Sequence, residues 1–378
     1  MANRRISISD IVIGQSLQWD VYGSDGGLLL RKGFVINNAN QVSALIERGL
    51  FADMEGLESA RDKKPIPKQT EIPSVVRMIN AARADLKSLS YNIANEPDAR
   101  NKILALAKLV ANATYMDSDV ALGCILLSQE ESYASRHCVD TAVVALLVAR
   151  ALKKSPDEVI MLGAAALTMN LSMLRQQERL HDKSEALTAE EQESISLHPE
   201  NTVSQLRSAG IEDEDWLSWI LAHHENEDGS GYPAHKKGAE IPQNAKIISI
   251  ADRYCARVCA RSYRKSLLPN AALRDILISG KTTIDPMLVM LFIRELGTYP
   301  IGSFVKLENG EIGVVTSKGS TTTTPYVHSL IGPRGAPLAM AIKRDTQKSL
   351  QSIREVLHRE QVPIRFTMRQ LWGEVASL

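Results

Sequence analysis

The chain has 378 residues, of which 44% are hydrophobic, 23% are charged and 22 are glycine. That composition belongs to a folded globular protein of two to three folding units and excludes a collagen-like, coiled-coil or largely disordered chain. Lys plus Arg and Asp plus Glu both number 44, so no global field draws the chain to nucleic acid or an anionic membrane, and any anionic ligand must be held locally.

Residues 1–55 read as a small mixed α/β module. Asp25, Gly26 and Gly27 stand between apolar flanks, as in a hairpin turn, and Val42, Leu45 and Ile46 fit one helix face ending at Gly49. Residues 56–73 are polar, with Pro65, Pro67 and Pro73, and read as a linker. Over 74–128, Val75, Val76 and Ile79, then Ile103, Leu106, Ala107 and Val110, recur at three- and four-residue steps, the mark of bundle helices. In 129–297 the stripe Val139, Ala142, Val143, Leu146 and Leu147 begins just after His137, and alanine-rich helices continue to about Gly297.

From 298 to 378 the period changes to two. Asn309-Gly310 separates alternating strands between Phe304 and Val315, which predicts a β-hairpin, and a short helix is expected around Gln347 to Leu357. The expected fold is therefore mainly α, with a small mixed N-terminal module and a C-terminal β-hairpin region. Apolar runs such as Ala142 to Ala149 fall short of spanning length, and no apolar stretch follows Arg4 and Arg5, so a cytoplasmic chain with no membrane partner is expected. Aromatic residues are 5% and interleave with no basic stripe, which argues against nucleic acid. Cys124, Cys138, Cys255 and Cys259 contain no C-x-x-C pair and read as buried, reduced thiols.

Chemistry concentrates in one helical region, where His137, His198, His223 and His224 occur with Asp228 and Asp252. Neutral imidazoles and carboxylates are the usual ligands of Fe, Mn or Zn. At His223 the chain reads HHENEDGSGYP, ending at Pro233, followed by KKGAEIP and AKIISIADRYCAR. This resembles the HD-GYP family, helical metal-dependent phosphohydrolases whose members cleave the bacterial second messenger cyclic di-GMP. LTAEEQESISLHP, which contains His198, and RSYR, from Arg261 to Arg264, extend the resemblance, which covers roughly Gln129 to Gly297.

The resemblance implies an HD-domain-like helical bundle with His137, His198, His223, His224 and Asp252 as metal ligands. It implies contacts from Arg261 and Arg264 to ligand phosphate, a chemistry that guanidinium groups perform in bidentate fashion. Asp228, Gly229, Gly231, Tyr232 and Pro233 form the GYP loop, which in the family also meets partners such as GGDEF-type proteins. A homodimer is compatible with the sequence.

The motif that names the family departs from its pattern. Spacing from His137 and His198 lays the H-D-I-G-K segment on Met169 to Met173, so Met169 stands for the histidine, Asn170 for the aspartate, Ser172 for the glycine and Met173 for the lysine. Asparagine cannot supply the negative charge that bridges two cations, and a thioether is a soft ligand poorly matched to divalent iron or manganese. No catalytic residue is assigned at these positions.

His137 and Asp252 are left to the first ion, whereas His198, His223 and His224 suffice for one divalent Fe, Mn or Zn; an empty site is an equal expectation. Tyr133 stands where members with three metals carry a glutamate, so a third ion is not expected. His181-Asp182 is an H-D dipeptide in a variable connection and is not taken to replace the lost ligands. Cys255 replaces an aspartate and Lys246 an arginine. The expected function is a degenerate HD-GYP protein of cyclic di-GMP signalling, a nucleotide receptor or interaction module with impaired or absent hydrolysis; the alternative is an active metal-dependent phosphodiesterase.

Overall fold

The computed structural model describes residues 3–5, 16–17, 19–23, 26–36, 51–53, 73–128, 132–181, 183, 185–259 and 266–378. The chain divides into two compact units, Met1–Glu71 and Ile72–Leu378, and the boundary falls within the predicted linker. The described part of the first unit is a small antiparallel sheet of β1 (Asn3–Arg5), β2 (Val21–Tyr22), β3 (Leu28–Leu30) and β4 (Phe51–Asp53), in the order β1-β4-β2-β3. Val21 faces Leu30 across the expected hairpin, and Leu17, Trp19, Val21 and Ile36 are buried. The helix expected at 42–49 lies outside the described residues.

The second unit is a helical bundle joined to a sheet. Its helices are α1 (Val75–Asn92), α2 (Ala99–Met116), α3 (Ser118–Leu127), α4 (Tyr133–Ala151), α5 (Pro156–Thr168), α6 (Leu174–His181), α7 (Ala189–Ser208), α8 (Glu214–Leu221), α9 (Gln243–Val258), α10 (Pro269–Ser279) and α11 (Pro286–Leu296). Helix α4 is the axis, with every residue from Tyr133 to Ala149 buried, so that its apolar stripe meets other helices on all sides. One core runs from Val75 on α1 through the bundle to Val305 and Val327 in the sheet, so residues 74–128, 129–297 and 298–378 pack as parts of a single unit. All four cysteines are buried, and none of them forms a disulfide.

The C-terminal region is larger than a hairpin. Strands β5 (Phe304–Leu307), β6 (Ile312–Ser317), β7 (Tyr326–Ile331), β8 (Pro337–Asp345) and β9 (Ile353–Leu357) form an antiparallel sheet in the order β8-β7-β6-β5-β9. The Asn309-Gly310 hairpin joins β5 to β6 as expected. The helix expected around 347–357 is corrected: only Ser349–Gln351 makes a 3-10 turn, and Ile353 to Leu357 pair with β5. Strand β9 covers the open edge of β5 and buries Leu357, and this pairing outweighs the weak local preference for a helix. A short helix, α12 (Met368–Trp372), closes the sheet through a bond from Trp372 Nε1 to Thr316 O at 2.9 Å.

One stretch passes a test of length and mean hydropathy without being a continuous apolar run. Residues 156–181 are long and apolar enough to cross a membrane by length and composition, but 72% of the best window is buried inside the protein. This stretch spends its apolar residues on the bundle core.

Candidate functional site

Helix α7 presents His198, and its start is fixed by local chemistry. Thr188 Oγ1 accepts from Glu191 N at 3.2 Å while Glu191 Oε2 accepts from Thr188 N at 2.8 Å, so the LTAEE stretch is a capping box. Pro199 lies inside this helix and has no N–H to give to the carbonyl of Ile195, four residues back. That carbonyl instead takes the Nδ1 proton of His198, at 2.6 Å.

His223 follows the last turn of α8, where carbonyls lack helical partners. Its Nδ1 lies 2.5 Å from Ile220 O. With both Nδ1 protons committed to backbone, the Nε2 lone pairs of His198 and His223 point at one another across 3.3 Å. His224 completes the cluster: one ligand atom from each ring lies within 4.8 Å of the others.

These rings are held neutral. Burial pushes His198 down to about 3, helped by the neighbouring His223, and burial likewise lowers His223 and His224. Three neutral imidazoles with converging lone pairs are a donor set for a divalent cation, and the residues present fit one such ion. His198, His223 and His224 are brought together as the motif spacing implies.

His137, on α4, and Asp252, on α9, meet each other instead, Nε2 to Oδ1 at 2.7 Å. Burial alone would raise Asp252, but the bond from His137 and the attraction of that ring reverse this and hold its carboxyl well below the ordinary range. Asn170 and Met173 line the same cavity as His137, Asp252, His198 and His224. Met169 lies behind the cavity wall, fully buried in the core. Ser172 ties this turn to α7, its N–H reaching Thr202 Oγ1 at 3.2 Å and its hydroxyl His198 O at 3.1 Å.

The GYP loop covers His224. Tyr232 stacks on that imidazole with centroids 4.8 Å apart, and its N–H bonds His224 O at 3.3 Å. Gly231 passes so close to the preceding turn that a Cβ would lie 2.4 Å from both Asn226 N and Glu225 Cα, and Gly229 has φ +80°, so this path requires glycine at both positions. Buried Glu225 fastens the far side by accepting from Ala234 N at 2.7 Å and Lys236 N at 3.0 Å. Asp228 accepts from Ser230 N at 3.0 Å and is exposed to solvent. Pro233 follows Tyr232 through a cis peptide bond.

Several cavity residues lie beyond the motifs. Tyr133 stacks on His137 at 5.6 Å and on His181 at 4.6 Å, so the position read only as a lost glutamate carries a ring between two imidazoles. His181 lines the cavity but is not part of the three-histidine cluster. Arg253 reaches Asn226 Oδ1 at 2.5 Å and links α9 to the loop. Lys246 pairs with Glu227 at 2.6 Å, so the Lys-for-Arg exchange keeps an ion pair. Arg261 and Arg264 lie outside the described residues.

Comparison with known proteins agrees with this geometry. The model of the HD domain family matches residues 124–288. A cyclic di-GMP phosphodiesterase of Pseudomonas aeruginosa is 27% identical over 214 residues, 56% of this chain and 51% of that protein. A cyclic di-GMP phosphodiesterase of Borreliella burgdorferi is 26% identical over 223 residues, 59% of this chain and 57% of that protein. The chain thus spans about half the length of these curated relatives. Among solved structures, an HDGYP protein from Bdellovibrio bacteriovorus shares the fold with TM-score 0.50 and 14% identity, covering 77% of this chain and 98% of that one. Residues 124–288 accordingly match the HD domain family, and over this region the chain is similar to proteins named as cyclic di-GMP phosphodiesterases.

Proposed function

We propose that this chain is a cyclic di-GMP receptor in bacterial signalling whose capacity for hydrolysis is impaired. The observation that carries the reading is Asn170, which lines the cavity beside His137 and Asp252 where a bridging carboxylate would be needed to hold two cations together. The relatives named as cyclic di-GMP phosphodiesterases support the choice of ligand.

His198, His223 and His224 would hold a single divalent ion, and such an ion, when bound, supplies Lewis acidity toward a phosphoryl oxygen. Tyr232 fixes the ring of His224, and the carbonyls of Ile195 and Ile220 fix the other two. Met173 gives the cavity neither charge nor a transferable proton. The cavity encloses about 190 Å³, less than the roughly 300–1,000 Å³ of a site that swallows a whole small molecule, so it takes a phosphate and its sugar and leaves the bases at the rim. The GYP loop, with Asp228 and Ser230 exposed, is the surface for a GGDEF-type partner.

A second reading, favoured by the convergence of the three imidazoles, is a phosphodiesterase that works with one metal. Calorimetric titration with cyclic di-GMP in the presence of Mn²⁺ separates the two. A saturating heat that falls to baseline is expected for the receptor. A sustained heat of turnover selects the enzyme, and the absence of any heat rejects both. The double variant Met169→His with Asn170→Asp is expected to add turnover to binding.

A further inference from the structure

We infer that Asn170 and Gln177 are ligand-contacting amides of the cavity, Asn170 donating to a phosphodiester oxygen and Gln177 pairing with the ribose 2′-hydroxyl of the same nucleotide. This rests on the reading of the cavity as a cyclic di-GMP site and deepens it by naming two contacts. Its basis is a pair of buried amides that line one cavity and whose side chains have no hydrogen bond among the described residues.

Buried polar side chains are almost always paired, so two unpaired amides in one cavity point to a group that arrives from outside. Asn170 is 3% exposed and Gln177 8%. Neither polar atom of Asn170 is sealed from solvent, so both ends of its amide open into the cavity that the residue lines. Gln177 Oε1 is turned into the wall, where it has no partner, which leaves the nitrogen end to the cavity. A half-turn about the last torsion exchanges the two ends, so this amide offers the cavity a donor or an acceptor.

The two amides stand on one stripe of the wall, with Met173 between them at steps of three and four residues. The rotation of α6 is fixed by the neighbours of Gln177. Gln176 accepts from Ser194 Oγ on α7 at 2.7 Å, and Glu178 accepts from Ala134 N on α4 at 2.8 Å. Successive side chains of a helix diverge by about 100°, so Gln177 is aimed between α7 and α4, the helices that carry His198 and His137. A phosphodiester offers acceptors only, whereas a ribose hydroxyl both donates and accepts. Asn170 lines the cavity beside His137 and Asp252, and its N–H groups supply a neutral donor where a carboxylate without ions around it would repel the phosphate. Gln177, two turns further along the stripe, meets the sugar of the same nucleotide, and its amide matches both faces of the hydroxyl. Both contacts come from braced elements and cost little side-chain freedom when the ligand arrives.

The test is the affinity of the full chain for cyclic di-GMP and for its 2′-deoxy analogue, read by calorimetry, with a melting curve of each variant. Wild type is expected to prefer the ribose form by about tenfold, the effect of a hydroxyl paired with both ends of an amide. Gln177→Leu keeps the size of the side chain and removes its polar atoms; it is expected to bind the two forms alike, having lost affinity for the ribose form alone. Asn170→Leu is expected to weaken both forms by about tenfold and to keep the preference. Where a leucine variant melts early, Gln177→Met and Asn170→Ala take its place with the same expectations. A ribose preference that survives in Gln177→Leu, or equal binding of the two forms by wild type, would overturn the Gln177 contact, and unchanged affinity in Asn170→Leu would overturn the Asn170 contact. A wild-type chain that binds neither form would overturn the receptor reading and this inference together.

Discussion

Pro199 shapes the site by what it lacks. By withholding an N–H from the Ile195 carbonyl it leaves that oxygen to receive the Nδ1 proton of His198, which turns the Nε2 lone pair to the cluster. Pro199→Ala restores a competing donor and is expected to raise helix stability while lowering metal affinity about tenfold, as removal of an outer partner of a ligating histidine does. Competition with a chromogenic chelator checks this; unchanged affinity would separate the proline from the tautomer. Reading the sequence found the histidines because HHE, DG and GYP stand in one short contiguous segment. It placed Asn170 and Met173 at the cavity because the spacing from His137 and His198 is kept. It named His181 only as part of a stray H-D dipeptide, because its place in the wall depends on how α6 packs on α4, a tertiary contact with no local signature.

At the scale of elements, the bundle depends on a buried ion pair between α1 and α4. Arg83 Nη2 meets Asp140 Oδ1 at 2.7 Å, with neither side chain more than 1% exposed, and further bonds run from Arg83 to Ser128 Oγ and Cys124 O. Arg83→Ala leaves a buried carboxylate without its cation and is expected to destabilise the chain by about 3–5 kcal/mol in urea unfolding, whereas replacement of both partners by apolar residues costs much less. Helix α3 carries a pH-dependent element far from the histidines. Burial, and then the neighbouring Asp117, push Asp119 up to about 6, with Lys318 opposing. Because the folded carboxyl holds its proton more tightly than the unfolded one, its contribution is greatest below about pH 4 and is lost as pH rises through about 6. The slope is worth about 1 kcal/mol once residual solvent contact is discounted. Melting curves should show Asp119→Asn more stable than wild type at pH 7 and no different at pH 4; equal melting at both would remove the group from the account. Strand β9 was not legible because its five residues have no strong pattern until β5 supplies the partner. Helix α4, whose stripe runs from Val139 to Leu147, was.

On the scale of the whole molecule, residues 72–378 are built so that one core supports a cavity with two unequal halves. One half keeps three neutral imidazoles under a loop whose glycines allow close approach. The other pairs His137 with Asp252 and carries Asn170 in its wall. Composition and charge anticipated a folded globular chain, as the single core of this unit shows. The asymmetry between its halves is the central claim, and the metal content of the chain purified without oxygen or chelator tests it most directly. Elemental analysis should find about one divalent ion per chain, lost in His223→Ala. Two ions per chain would mean that other groups bridge them in place of the missing aspartate, and would contradict the account.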